Sequence, residues 1–180
     1  MKKAIRNQYA ELGVENYYQQ HAADYQNPHF EQIKTLLERH QHLLDYTKVF
    51  DFCCGGGEVT LILKQLGFDQ TVGSDPFTFA LYEKNTQKKC LQLSFDDVIR
   101  GKLTEDYTTI ICSFAMHLCA EKKLYALVNQ LFKHTENIVI LTPHKRPALE
   151  IWSAFELILE DFALTERGKK VFLKSYRSTV

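Results

Sequence analysis

The sequence has no excess charge of either sign. Its 22 basic residues are matched by 22 acidic ones in a chain of 180, so no global field draws it toward nucleic acid or an anionic membrane. It has no apolar run near the ~20 residues that cross a bilayer, and no membrane partner is expected. The opening "MKKAIRNQYAELGVENYYQQ" lacks the apolar stretch of a secretory signal. There is no internal repeat, low-complexity tract or linker. No CxxC pair occurs, and the five cysteines sit mostly in apolar runs. Free buried thiols in a reducing, cytoplasmic setting are the simplest account of an odd count. Cys53 and Cys54 are adjacent and would face opposite sides of a strand, so no metal site is expected. Proline is scarce as well. Pro28, Pro76, Pro143 and Pro147 are the only four, each where an element should begin or end.

What remains is an ordinary globular composition, 45% hydrophobic and 24% charged. The length suffices for one domain with a substantial core. We expect a single domain over 1–180, with 1–45 as an N-terminal helical lid. "NPHFEQIKTLLERHQHLL" predicts a helix capped by Asn27, with Pro28 in its first turn and Phe30, Ile33, Leu36 and Leu37 on one apolar stripe. Short apolar runs then alternate with helices. Strands are expected at "KVFDFCC", "QTVGSD", "KKCLQL", "YTTIICSF" and "ENIVILTP". Helices are expected at "EVTLILKQL", "PFTFALYEKN" opened by Pro76, "AEKKLYALVNQLFKHT" and "ALEIWSAFELILEDF". Strands that are apolar throughout and separated by helices imply a parallel sheet covered on both faces. The final "FALTERGKKVFLKSYRS" differs: two strand-like runs meet at Arg167-Gly168, so a terminal antiparallel hairpin is expected. The fold class is α/β, doubly wound, with a mostly parallel seven-stranded sheet.

The stretch "KVFDFCCGGGEVTLILKQLG" runs from an apolar strand through an acid and three glycines into a helix. A helix start after a parallel strand presents unsatisfied N–H groups backed by the helix dipole. Glycine there lets a ligand approach the main chain, and ligands of open α/β sheets lie beyond the carboxyl ends of the strands. Gly55, Gly56 and Gly57 therefore make room for a ligand of nucleotide type. The dinucleotide fingerprint is incomplete, since its third glycine would fall at Thr60. The phosphate-loop lysine and hydroxyl are absent too. Asp75 follows about 20 residues on, at the end of the next strand. Its carboxylate can accept both hydroxyls of a ribose, or it caps a helix.

At these residues the chain resembles the class I S-adenosylmethionine-dependent methyltransferases. "VFDFCCGGGEVT" resembles their first motif, and its doubled cysteine is similar to that of the quinone-biosynthesis C-methyltransferases. "VGSDPF", "LQLSFDDV" and "YTTIICSFAMHL" resemble the second, third and fourth motifs. The likeness runs from Lys48 to Leu118, and the terminal hairpin matches the family's reversed seventh strand. Cys53 stands where the family usually has glycine. The acid that opens the fourth motif comes one residue early, as Asp106. The resemblance implies a Rossmann-like methyltransferase fold and S-adenosylmethionine as cofactor. It implies that Asp51 fixes the loop and reaches the methionyl amine, and that Cys53, Gly55 and Gly57 line the cofactor. Asp75 and Pro76 would stand at the ribose, and Phe77 or Phe95 would flank the adenine. Ser94 and Asp96 would stand at its edge, with Asp97 as the alternative acid. Ser113 and Phe114 would lie next to the methyl group.

Methyl transfer is an in-line displacement in which the protein positions the partners and removes a proton from some acceptors. Histidine is the natural base at neutral pH. His117 follows the fourth strand, His144 follows the fifth, and His29 opens the first long helix, so these three are the catalytic candidates. "ENYYQQHAADYQNPH" offers Tyr17, Tyr18, His21, Tyr25 and Asn27 as an aromatic, hydrogen-bonding wall for the acceptor, or as half-buried packing. Lys145 and Arg146, beside His144, would hold a carboxylate or phosphate of the acceptor, or lie in a solvated turn. A small-molecule acceptor fits a compact chain of this kind. An RNA acceptor stays open because "RGKKVFLKSYR" is basic and without acid. A non-catalytic cofactor-binding subunit stays open too. A chain this short leaves the pocket partly open, as a monomer or as a homodimer whose partner completes it.

Overall fold

A computed structural model of the protein describes residues 27–180 and, before them, positions 13 and 16. Tyr17, Tyr18, His21 and Tyr25, and most of the expected lid, lie outside the described residues. The first described helix, α1, spans Phe30–Arg39. Then follow β1 (Val49–Phe52), α2 (Glu58–Gln65), β2 (Thr71–Ser74), α3 (Phe79–Thr86), β3 (Cys90–Leu91) and α4 (Phe95–Ile99). The second half holds β4 (Thr109–Ser113), α5 (Glu121–Leu131), β5 (Ile138–Thr142), β6 (Phe155–Leu164) and β7 (Lys170–Ser178). Short 3-10 turns occur at Met116–Leu118 and Leu149–Ile151.

The strands form one sheet in the order β3-β2-β1-β4-β5-β7-β6. The first five are parallel, and β7 runs antiparallel between β5 and β6. From β1 the chain winds outward to β3, then crosses back to lay β4 on the other side of β1. The strand order thus reverses between β1 and β4.

Why the strands are apolar throughout is visible in the two cores. Phe50, Ile110 and Ile138 face one way and pack with Val98 of α4 and Leu124, Leu127 and Leu131 of α5. Their neighbours Val49, Ile111 and Val139 face the other way, against Ile33 and Leu36 of α1 and Ile62 and Leu63 of α2. A strand sandwiched between helices buries both of its faces, so alternation vanishes from its sequence.

Four expectations are corrected. The segment "ALEIWSAFELILEDF" is not a helix: after a 3-10 turn it becomes the ten-residue strand β6. A register shift between Leu157 and Leu159 leaves Ile158 as an extra residue in the pairing with β7. A bulge offsets the two-residue period, so the apolar positions on either side of it mimic helical spacing. Helix α1 starts at Phe30 rather than at Pro28. Asn27 does not cap it; its Oδ1 accepts from the His29 N–H at 2.9 Å, closing a turn before the helix. Likewise α3 starts at Phe79, not at Pro76, because the Asp75 side chain folds the intervening residues into a turn. The expected strand "KKCLQL" is reduced to two residues, since β3 is the sheet edge and pairs only at Gly73↔Cys90 and Ser74↔Leu91.

Candidate functional site

The site gathers at the carboxyl ends of the parallel strands, around β1, β2, β3 and β4. Asp51 points from β1 to the helix that follows and is fully buried. Its Oδ2 accepts from the Thr60 backbone N–H at 3.2 Å and the Thr60 hydroxyl at 2.7 Å. Its Oδ1 is buried without a hydrogen-bond partner. Burial pushes this carboxyl up to about 8, against the opposing pull of Thr60, and Glu58 and Asp75 add to the rise.

The loop after β1 turns on three residues in the left-handed region: Cys53 at φ 58, Gly55 at φ 55 and Gly57 at φ 90. A Cβ on Gly57 would lie 2.5 Å from the Thr86 methyl, so close packing of α3 also demands glycine there. The two adjacent cysteines part company. The Cys53 thiol is pushed well up by its hydrogen bond to Cys112 and by burial, whereas Cys54 Sγ lies 3.5 Å from Cys90 Sγ. All five cysteines are free thiols. Glu58, at the start of α2, accepts from the Asn27 backbone N–H at 3.3 Å, tying the segment before α1 to the glycine loop. Burial raises its carboxyl above the ordinary value.

At the end of β2, Asp75 is held by its own backbone turn. Its Oδ1 accepts from the N–H groups of Phe77 at 2.8 Å and Thr78 at 2.9 Å. No described residue donates a hydrogen bond to Oδ2. Beyond β3, the two acids of "SFDD" take separate roles. Asp97 closes a capping box with Ser94 at the start of α4 and binds Lys102 Nζ at 2.6 Å, contacts that hold its carboxyl well below the usual range. Asp96 instead meets Lys123 of α5, whose Nζ donates to both of its oxygens at 2.7 and 2.9 Å.

Between these elements lies a cavity of about 320 Å³. Ten of the twelve residues expected to touch the cofactor line it: Cys53, Gly55, Asp75, Pro76, Phe77, Ser94, Phe95, Asp96, Ser113 and Phe114. The other two, Asp51 and Gly57, do not line it. Asp51 is turned toward Thr60, and Gly57 packs against Thr86 and Tyr82. Sequence reasoning missed Leu93, Ala115, Leu118, Cys119, Ala120 and Lys123, which complete the wall. Most of these are apolar residues in the stretch after β4: Ala115 and Leu118 lie within the fourth motif but carry no polar signal, and Cys119 and Ala120 lie beyond it. Ser113 Oγ is buried and without a partner.

None of the three candidate histidines lines the cavity, but each stands beside its β4 end. The His29 ring stacks on Phe114, with centroids 5.0 Å apart and planes at 17°. Phe114 itself lies at φ 57, with its N–H bonded to the Leu141 carbonyl at 2.8 Å. Burial and the Lys169 charge lower the His29 pKa. His117 sits in the 3-10 turn between the cavity residues Ala115 and Leu118, its ring edge-on to His144 at 5.0 Å. Burial, with a smaller push from His144, brings His117 down to about 4. The Nδ1 atoms of His29 and His117 are both buried without partners. His144, Lys145 and Arg146 are exposed on the loop after β5. That loop is fixed by its backbone: Lys174 Nζ donates to the Lys145 carbonyl at 3.0 Å, and the Thr142 hydroxyl donates to the Arg146 carbonyl at 3.2 Å. Among the described residues, no helix is long and apolar enough to cross a membrane.

No protein-family model matches the chain. It is 29% identical, over 229 aligned positions, to an uncharacterized protein of Schizosaccharomyces pombe; the match covers 96% of this chain and 92% of the relative. Among solved structures it is similar to magnesium protoporphyrin IX methyltransferase from Synechocystis PCC 6803 with bound SAM. That likeness has a TM-score of 0.66 at 16% identity and covers 97% of this chain and 95% of the other. A SAM-dependent methyltransferase from Anabaena variabilis gives a TM-score of 0.69 at 13% identity, covering 98% and 96%. The methyltransferase domain of bacterial CtHen1-C gives 0.63 at 17% identity, covering 86% and 100%. With its strand order, its reversed seventh strand and its cavity at the switch between β1 and β4, the chain has the fold of the class I S-adenosylmethionine-dependent methyltransferases.

Proposed function

We propose that the protein is an S-adenosylmethionine-dependent methyltransferase acting on a small-molecule acceptor. The observation that carries this reading is the cavity itself. It lies beyond the β1–β4 switch, and it brings together an open glycine loop, a carboxylate held by its own backbone turn and the rings of Phe77, Phe95 and Phe114. The residues present fit the cofactor. Asp51 keeps an orphaned Oδ1 behind the glycine loop, suited to an ammonium or a water that reaches one. Asp75 offers Oδ2, to which no described residue donates, for the ribose hydroxyls. Asp96 offers a carboxylate to the amino edge of the base, while Asp97 is occupied in its capping box. Gly55 gives close backbone approach. S-adenosylmethionine supplies an electrophilic methyl on a sulfonium, and the chain's own work is to hold the acceptor in line and take its proton.

For the proton we assign His117, with His144 as its neighbour. Since burial brings its pKa to about 4, the ring is neutral at physiological pH and able to accept. His29, stacked on Phe114, and the cationic side chains of Lys145 and Arg146 would border the acceptor. The test is transfer of a labelled methyl group from the cofactor into separated small-molecule and RNA pools. Label entering a small molecule, with kcat lowered about 10²- to 10⁴-fold in His117→Ala, supports the proposal. Label entering RNA alone, or no label with the cofactor bound, contradicts it.

A further inference from the structure

Two acids open α4, and the structure puts them to different uses. Asp97 is spent on the helix cap and on Lys102. Asp96 faces the cavity and is chelated by Lys123, which also lines it. Fold stability does not explain this pair. Both side chains are nearly half exposed, at 43% and 45%, and ion pairs in that setting add little. Lys123 also sits in the first turn of α5, the end at which the helix dipole disfavours a cation. Its position makes sense only if the ammonium is there for the carboxylate. Lys123 takes one lone pair from each Asp96 oxygen. The remaining lone pairs stay available to a donor in the cavity, and the bidentate contact sets the orientation of the carboxylate. The wall next to the pair is made by Phe95 and Ala120, apolar residues suited to the plane of a base.

We propose that Lys123 is a specificity-determining positioning residue. It holds Asp96 as a fixed acceptor that selects a 6-aminopurine over a 6-oxopurine in the cofactor. The inference rests on the cofactor reading above. A 6-amino group donates to the held carboxylate, whereas a 6-oxo group turns its own lone pairs toward it.

The experiment is equilibrium binding of S-adenosylhomocysteine and of its deaminated analogue, S-inosylhomocysteine, to the wild-type protein and to Lys123→Met, Lys123→Arg and Asp96→Asn. The wild type is expected to prefer the adenosyl ligand by about tenfold or more. Lys123→Met should lose most of that preference, Lys123→Arg should restore it, and Asp96→Asn should bring the two ligands toward parity. A helix defect would weaken both ligands alike, so the ratio isolates positioning from folding. Asp96→Asn gives a second arm should Lys123→Met fold poorly. An unchanged ratio in Lys123→Met and Asp96→Asn, with the adenosyl ligand bound normally, overturns the role of Lys123 and leaves the cofactor reading standing. Failure of the wild type to bind the adenosyl ligand at all overturns both.

Discussion

At Cys53 a side chain occupies backbone that favours glycine. Its φ of 58 costs a residue with a Cβ roughly 1–2 kcal/mol, which a glycine would avoid. Strain of this kind persists where the surroundings over-determine it, and here Cys53 is pinned between the cavity and Cys112. Glycine would relieve the strain but add about 0.4–1 kcal/mol of chain entropy to the unfolded state. Cys53→Gly should therefore melt at or slightly above the wild-type temperature, whereas Cys53→Val should melt several degrees lower, by calorimetry. The fully buried Asp51 makes a pH prediction. Its folded pKa is raised to about 8, so the native state holds a proton that the unfolded chain releases near 4. Stability from this group is full below about pH 4 and declines as pH rises through about 8. The lowered pKa values of His29 and His117 act in the opposite sense, but only up to the ordinary histidine value of about 6.5. Between about pH 6.5 and 8 the Asp51 effect thus runs unopposed by the histidines. Urea unfolding of the ligand-free protein should show stability falling across that window, and Asp51→Asn should flatten the fall. A wild-type profile flat from pH 6.5 to 8 would show that Asp51 is ionised in the fold.

The elements were legible in proportion to how local their signals are. The glycine loop, the terminal hairpin turning at Gly168 and the stripe of α1 each depend on neighbours in sequence. The hairpin closes through Thr165 N–H to the Lys169 carbonyl at 2.8 Å, with Gly168 at φ 71. The first part of strand β6 was not legible as a strand, because the bulge at Ile158 offsets its period and its partner β7 supplies the rest of the information; its last residues were read correctly as the first arm of the hairpin. Helix α4 carried a signal that sequence reasoning passed over: Ser94 followed three residues later by Asp97 is a capping box. That cap belongs to the element that presents Asp96 to the cavity. Ser94→Ala should destabilise the fold by about 1 kcal/mol and speed amide exchange over 95–99. Exchange no faster than wild type would mean that α4 is held by its packing alone. The pairing of Asp96 with Lys123, and of Asn27 with Glu58, lay beyond reach because each joins residues more than twenty-five apart. Nothing in either segment alone specifies such a partner.

At the scale of the whole molecule, one topological fact organises the site. Winding out from β1 and crossing back to β4 leaves a gap between the outgoing chain ends of these strands. The first core locks α4 and α5 against one face, so that Asp96 and Lys123 meet over that gap. The second locks α2 against the other, so that Asp51 reaches Thr60 beneath the glycine loop. The cavity is thus held from both sides of the sheet and pre-formed, as a small-molecule site requires. That the cavity takes an adenosyl cofactor is tested most directly by thermal unfolding with S-adenosylmethionine, S-adenosylhomocysteine and NAD. At ~100 times its dissociation constant a ligand adds about 2.7 kcal/mol. A clear rise in melting temperature is expected with both adenosyl ligands, and its loss in Asp75→Ala. No rise with either, or a rise with NAD alone, would contradict it.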